Sequence, residues 1–143
     1  MPNLSNAFNL VRVSNAVAAG VTAINCTHVD MEGWDGVVFI CLLNALTATQ
    51  QTNLAAQNGS QSNDSDQALI TGAQTPNAAD ADSNKALVLD VYRPQKRYVR
   101  AVVNRGTANA VIDGVIALQY QGDKLPTKTL DATISQLLVA LGV

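Results

Sequence analysis

The run Val37-Val38-Phe39-Ile40-Cys41-Leu42-Leu43 is apolar without a break, and Gly33-Trp34-Asp35-Gly36 stands directly before it. Seven residues are about a third of what a membrane-spanning helix needs. Rich in apolar and β-branched side chains and bounded by turn formers, the run reads as a buried strand. Similar runs recur along the chain at 10–13, 21–27, 46–53, 68–71, 86–92, 98–104 and 111–120. About eight short strands with no βαβ alternation predict an all-β sandwich or barrel and exclude a parallel-sheet nucleotide fold. The 143 residues suffice for a single domain that buries roughly 68–70% of its unfolded surface without disulfides or metals.

Punctuation sharpens several of these strands. Strand 86–92 runs into Arg93-Pro94, where proline withdraws a ladder donor, and strand 98–104 resumes after a tip at Pro94-Gln95-Lys96. Asp113-Gly114 predicts a bulge inside strand 111–120, and Asn58-Gly59 is the best turn signal in the middle of the chain. Residues 44–84 hold no aromatic side chain and are mostly Ala, Thr, Gln, Asn, Ser and Asp, a loop-rich surface segment. Near the end, Leu130, Ile134, Leu137, Leu138 and Leu141 recur at helical spacing, with Asp131 near the start and Gly142 as a stop. This predicts a short amphipathic helix or tail over about 129–143 that caps the chain's own sandwich or docks on a neighbouring subunit.

Charge is scarce and unevenly placed. Only 14% of residues are charged and 48% are hydrophobic, against about 25% charged in ordinary soluble proteins, so amides and hydroxyls must supply much of the polar surface. The net charge of −2 gives no global attraction to nucleic acid or anionic lipid. Residues 13–84 contain no Lys or Arg, whereas Arg93, Lys96, Arg97, Arg100 and Arg105 fall within thirteen positions. Interleaved with Tyr92 and Tyr98, this stretch has three readings: a nucleic-acid contact, which strand alternation disfavours by dividing the charge between two faces, a contact with an acidic protein surface, or a solvated hairpin tip. The first residues lack the basic start and apolar core of a secretory signal, so production without export is expected.

Chemistry has few candidates. The chain has one histidine, His28, and strand periodicity puts Cys26, His28 and Asp30 on one face, where a metal or a nucleophile and base could meet, with Cys41 as a further ligand. No basic neighbour is near in sequence to activate the thiol, and the expectation is two reduced, buried cysteines and no catalytic, metal or cofactor site. The carboxylate groups Asp30/Glu32/Asp35, Asp64/Asp66 and Asp80/Asp82 lack calcium-loop spacing and read as solvated loop residues. The first of them flanks Trp34, the composition of a sugar-binding platform.

The blocks Val88-Leu89-Asp90-Val91-Tyr92-Arg93-Pro94, Lys96-Arg97-Tyr98-Val99-Arg100 and Ala108-Asn109-Ala110-Val111-Ile112-Asp113-Gly114, with Gln119-Tyr120 after them and Gly33-Trp34-Asp35-Gly36-Val37-Val38-Phe39 before, resemble small virion head proteins of tailed bacteriophages. The resemblance covers about half of the chain and its motifs are structural. It implies a capsid cement or decoration protein, a jelly-roll-like sandwich that clamps neighbouring major capsid protein subunits as a dimer or trimer. It also implies a place in the virion after assembly in the host cytoplasm; with the composition and charge read above, membrane, nucleic-acid and small-molecule partners are not expected. The basic hairpin (Arg93, Lys96, Arg97, Arg100, Arg105) would then meet an acidic strip on the capsid subunit. A carbohydrate-binding module of a host-recognition fibre, or another head-neck protein, is the alternative.

Overall fold

The computed structural model describes residues 4–123, 130–140 and 142. After a short 3-10 turn at Leu4–Asn6 come ten strands: β1 Phe8–Ser14, β2 Val17–Gly20, β3 Ile24–Asn25, β4 Val29–Asp30, β5 Trp34–Leu46, β6 Asn53–Gly59, β7 Ala68–Gln74, β8 Ala86–Tyr92, β9 Tyr98–Asn104 and β10 Ala110–Gly122, with a second 3-10 turn at Asp80–Asp82. Two antiparallel sheets form. One has the order β1-β10-β5-β8 with β2 also on β10; the other has the order β3-β9-β6-β7 with β4 also on β9. Because β1 and β2 share one strand's edge and β3 and β4 share another's, the ten segments fill eight places. Numbered along the chain, those places pair 1 with 8, 2 with 7, 3 with 6 and 4 with 5, so the backbone is a set of nested antiparallel pairs folded over itself.

The core lies between the sheets and follows from alternation. Val37, Phe39, Cys41 and Leu43 of β5 point inward with Ile112, Val115 and Ala117 of β10, against Leu54 and Ala56 of β6 and Val99, Ala101 and Val103 of β9. Phe39 is the largest of the fully buried side chains. The all-β sandwich is therefore as expected, and 86–92 and 98–104 have the expected ends. The Asp113-Gly114 bulge is present as a shift of register between Ile112 and Gly114, with Gly114 at a φ of 148° that an L side chain rarely adopts.

Residues 44–84 are not the surface segment expected, since β6 carries Leu54 and Ala56 into the core and Thr52, just before it, is buried; four further expectations need correction. Strand 21–27 shrinks to β3, and β2 and β4 appear on either side of it. Strand 46–53 is instead a crossover: β5 and β6 lie in different sheets, and the chain turns between them through Thr49, at a φ of 72°, before β6 begins at Asn53. Asn58-Gly59 closes β6 rather than turning it; the turn follows, held by Asp66, which accepts from the N–H groups of Ser60 and Gln61. The fourth is the helix over 129–143. Residues 130–140 contain one turn, where Ile134 N–H donates to Asp131 O, and are otherwise irregular. A lone segment of this length cannot hold a helix without a packed face, and here Thr133 Oγ1 instead accepts from the Arg12 N–H of β1 at 2.9 Å. Residues 129, 141 and 143 of that expected helix lie outside the described residues. Among the described residues no helix is long and apolar enough to cross a membrane.

Candidate interaction surface

Two connections meet at one end of the sandwich, the loop from β4 into β5 and the β8–β9 connection, which crosses from one sheet to the other and so does not form the expected hairpin. Their backbones are tied by Met31 N–H to Arg97 O at 2.8 Å and Arg93 N–H to Asp35 O at 2.7 Å. Arg97 then clamps the first loop: its Nε and Nη2 each donate to Asp30 at 2.9 Å, and Nη2 lies 2.6 Å from Glu32 Oε2. The fork geometry suits a carboxylate. It holds the Asp30 carboxyl below its ordinary range, the Arg97 hydrogen bond outweighing partial burial, and raises the Arg97 guanidinium in turn.

Between the loops lies a cleft of about 470 Å³, lined by Trp34, Glu32 and Asp35 on one side and Arg93, Lys96 and Arg97 on the other. Trp34 forms the wall. Its ring lies over Gly122, where any Cβ would overlap it, and it also lines a second cleft of about 430 Å³ together with Gly122 and Asp123. Arg93 holds a left-handed backbone at φ 53° and sets its guanidinium 5.1 Å from the centre of the Tyr92 ring, a cation–π contact. An indole plate flanked by carboxylates and cations can grip the face of a polar ligand or a charged protein loop.

The structure disperses the five expected contact residues. Arg105 is only 9% exposed; its guanidinium donates to the carbonyl oxygens of Thr22, Ala18 and Ala110 at 2.8–2.9 Å. It is an internal tie between the β2–β3 connection and β10. Arg100 points to the outer face of the other sheet, with Nε donating to Gln57 Oε1 at 2.8 Å. Arg97 is committed to Asp30 and Glu32. Of the five, Arg93 and Lys96 have no carboxylate or amide partner among the described residues, and both face the Trp34 cleft.

Cys26, His28 and Asp30 do not share a face. Residues 26–28 between β3 and β4 are not strand, so alternation lapses: Cys26 turns into the core while His28 and Asp30 stay outside. Burial pushes the Cys26 and Cys41 thiols up to about 12, and both are free and buried, as inert thiols are. His28 Nδ1 lies 2.7 Å from Asp64 Oδ1, its ring edge-on to Tyr98 at 5.1 Å. That pair joins residues 36 apart, and no spacing in the sequence announces it. The remaining carboxylates organise loops: Asp80 accepts from Thr49 N–H, and Asp82 from Ala79 N–H and Lys85. Among the described residues, no three His, Cys, Asp or Glu side chains are grouped to hold a metal ion. Comparison with protein-family models, with curated proteins and with solved structures gave no match.

Proposed function

We propose that the protein is a non-catalytic virion component, a capsid cement or decoration protein that binds and stabilises a major capsid lattice through contacts repeated on several subunits. The observation that carries the reading is the strand order. Eight places in the orders 1-8-3-6 and 2-7-4-5 support taking the sandwich as a jelly roll, an architecture of viral capsid and lectin domains. It is also the fold implied by the phage-like blocks around Arg93, Tyr98 and Asp113. Fold alone does not assign function; the surface adds to it. Its low charge makes broad contacts less costly to desolvate, and Arg93 and Lys96, without a carboxylate partner among the described residues, offer two cations beside Trp34 for an acidic strip on the lattice.

The test adds the purified chain to expanded tailed-phage heads lacking a decoration protein, and measures co-sedimentation and the temperature of head disruption. Saturable binding with a raised disruption temperature is expected. Arg93→Ala with Lys96→Ala should weaken binding at least about tenfold, the loss of two interfacial charges, while the chain's own melting stays unchanged. No binding at micromolar concentration and no protection would overturn the reading.

A second reading is favoured by one observation, the convergence of Trp34, Glu32, Asp35 and Arg93 on a single cleft. It is a carbohydrate-binding sandwich on a host-recognition fibre. In that case a glycan array gives a defined signal, and Trp34→Ala abolishes it while the fold remains intact.

A further inference from the structure

The outer face of the β1-β10-β5-β8 sheet is apolar over four strands. Cross-strand register arranges it in rows: Phe8, Tyr120, Gly36 and Tyr92; then Leu10, Leu118, Val38 and Asp90; then Arg12, Ile116, Ile40 and Val88; and last Gly114, Leu42 and Ala86. A sheet face turned to water alternates with polar residues. This one has Arg12 and Asp90 as the only charges in its rows, at opposite edges. Val88 is 56% exposed and Leu42 and Tyr92 are exposed with it.

Among the described residues the chain covers only a corner of the face. Thr133 is bonded to β1, and Ile134 lines a recess together with Leu10, Leu42 and Ile116. Beyond that anchor the segment leads Leu137, Leu138 and Val139 into solvent, Leu138 at 86% exposure.

We infer that a second copy of this chain packs on this face around a two-fold axis, and that the 130–140 segment of each copy clasps the other. Charge complementarity points to a copy. An axis lying in the interface and parallel to the strands sets β1 of one molecule over β8 of the other at the same height. Arg12 then lies one row from the other copy's Asp90, within reach of its long side chain, and the reverse pair forms by symmetry. Area points to the clasp. Four strands about 4.8 Å apart and four rows about 6.6 Å apart make roughly 500 Å² of sheet, short of the about 800 Å² per partner in a stable interface. The exposed Leu137, Leu138 and Val139, already brought to the rim by Thr133 and Ile134, supply the rest. The inference stands on this face and segment and does not rest on the capsid reading.

Sedimentation velocity on the full chain between about 1 and 100 µM tests it, with a concentration-dependent dimer expected. Val88→Glu puts an unpaired carboxylate in the interface and should raise the dimer dissociation constant about 100-fold with the circular dichroism spectrum unchanged. Arg12→Glu and Asp90→Arg should each raise it about tenfold, and the double variant should recover most of the loss, which a merely misfolded variant would not do. Leu137→Ser with Leu138→Ser should weaken the dimer about tenfold. A monomer at about 100 µM, a trimer, a Val88→Glu protein that dimerises as the parent does, or a double charge variant no better than either single one overturns the inference. Heads bound by a strict monomer would refute the dimer and leave the capsid reading standing.

Discussion

The two outer faces of the sandwich solve the same problem in opposite ways. On the β3-β9-β6-β7 sheet the outward side chains bond to one another: Asn104 Nδ2 donates to Asn53 Oδ1 and Asn53 Nδ2 to Asn77 Oδ1, each at 2.8 Å, and Arg100 meets Gln57. Between these rows Ala55 and Val102 are buried although they point away from the core. On the β1-β10-β5-β8 sheet the same positions hold Leu10, Leu118, Val38, Ile40 and Ile116, and the principal internal cover is a tyrosine. Tyr120 lies across Gly36, stacked parallel to Tyr92 at 6.4 Å, with its hydroxyl donating to Asp90 at 2.5 Å. A composition poor in charge thus means two things in one molecule: one face whose β6 and β9 rows are completed by their own amides, and one left for an apolar partner.

The largest expected effect is where the two sheets are joined. Arg105 links the β2–β3 connection, which passes from one sheet to the other, to the start of β10. Arg105→Met keeps the packing volume but leaves the carbonyl groups of Ala18, Thr22 and Ala110 without their donor. Stability should fall by about 3 kcal/mol or more, the cost of breaking a buried charged network, measured by urea unfolding. A loss below about 1 kcal/mol would mean that the faces are held together by the core alone.

A paired substitution then compares the faces directly. Asn53→Ala removes the middle of the amide ladder and strands Asn104 and Asn77, at a cost of about 1–3 kcal/mol. Leu42→Asn on the opposite face replaces an exposed leucine and should change the stability of the monomer by no more than about 0.5 kcal/mol. Equal effects in urea unfolding at low protein concentration would erase the distinction drawn between a closed face and an open one.

Part of this contrast was legible in the sequence. Strands β8 and β9 have the expected ends because Pro94 and the Asn104-Arg105-Gly106 break interrupt pairing at fixed points. The unbroken run from Val37 to Leu43 already holds both faces of β5: where only one side is buried, apolar and polar residues alternate. Strand β6 was displaced because its inward residues are Leu54 and Ala56 amid Asn, Ala and Gln, too little contrast for a period-two signal. The helical spacing of Leu130, Ile134, Leu137 and Leu138 is real, but spacing cannot say whether a face exists to receive it. The basic stretch was misleading in a different way, because proximity in sequence carries no information on burial: Arg105 went inside, Arg97 to Asp30, and Arg100 to the other sheet. His28 with Asp64 depends on a tertiary approach of two loops, which no local pattern encodes.

Alkaline pH sharpens the comparison further, with a smaller effect per step. The Cys26 and Cys41 thiols, ordinarily near 9, are pushed up to about 12 by burial in the shared core. The unfolded chain therefore releases these protons first. Stability is fully present below about pH 9 and declines as the pH rises toward 12, by about 1.4 kcal/mol per pH unit for each thiol within that window. Tyr120 is also raised, by burial and then by its hydrogen bond to Asp90, so from about pH 10 upward it adds to the decline from the open face. Unfolding free energy measured from pH 8 to 11 should fall with a slope that Cys26→Ala and Cys41→Ala each reduce by about one proton, whatever they cost at neutral pH. Tyr120→Phe should flatten only the part above pH 10, since the phenyl ring still covers Gly36. A slope that Tyr120→Phe leaves untouched would mean that the hydroxyl does not couple the open face to stability, and that the two faces differ in packing but not in their response to pH.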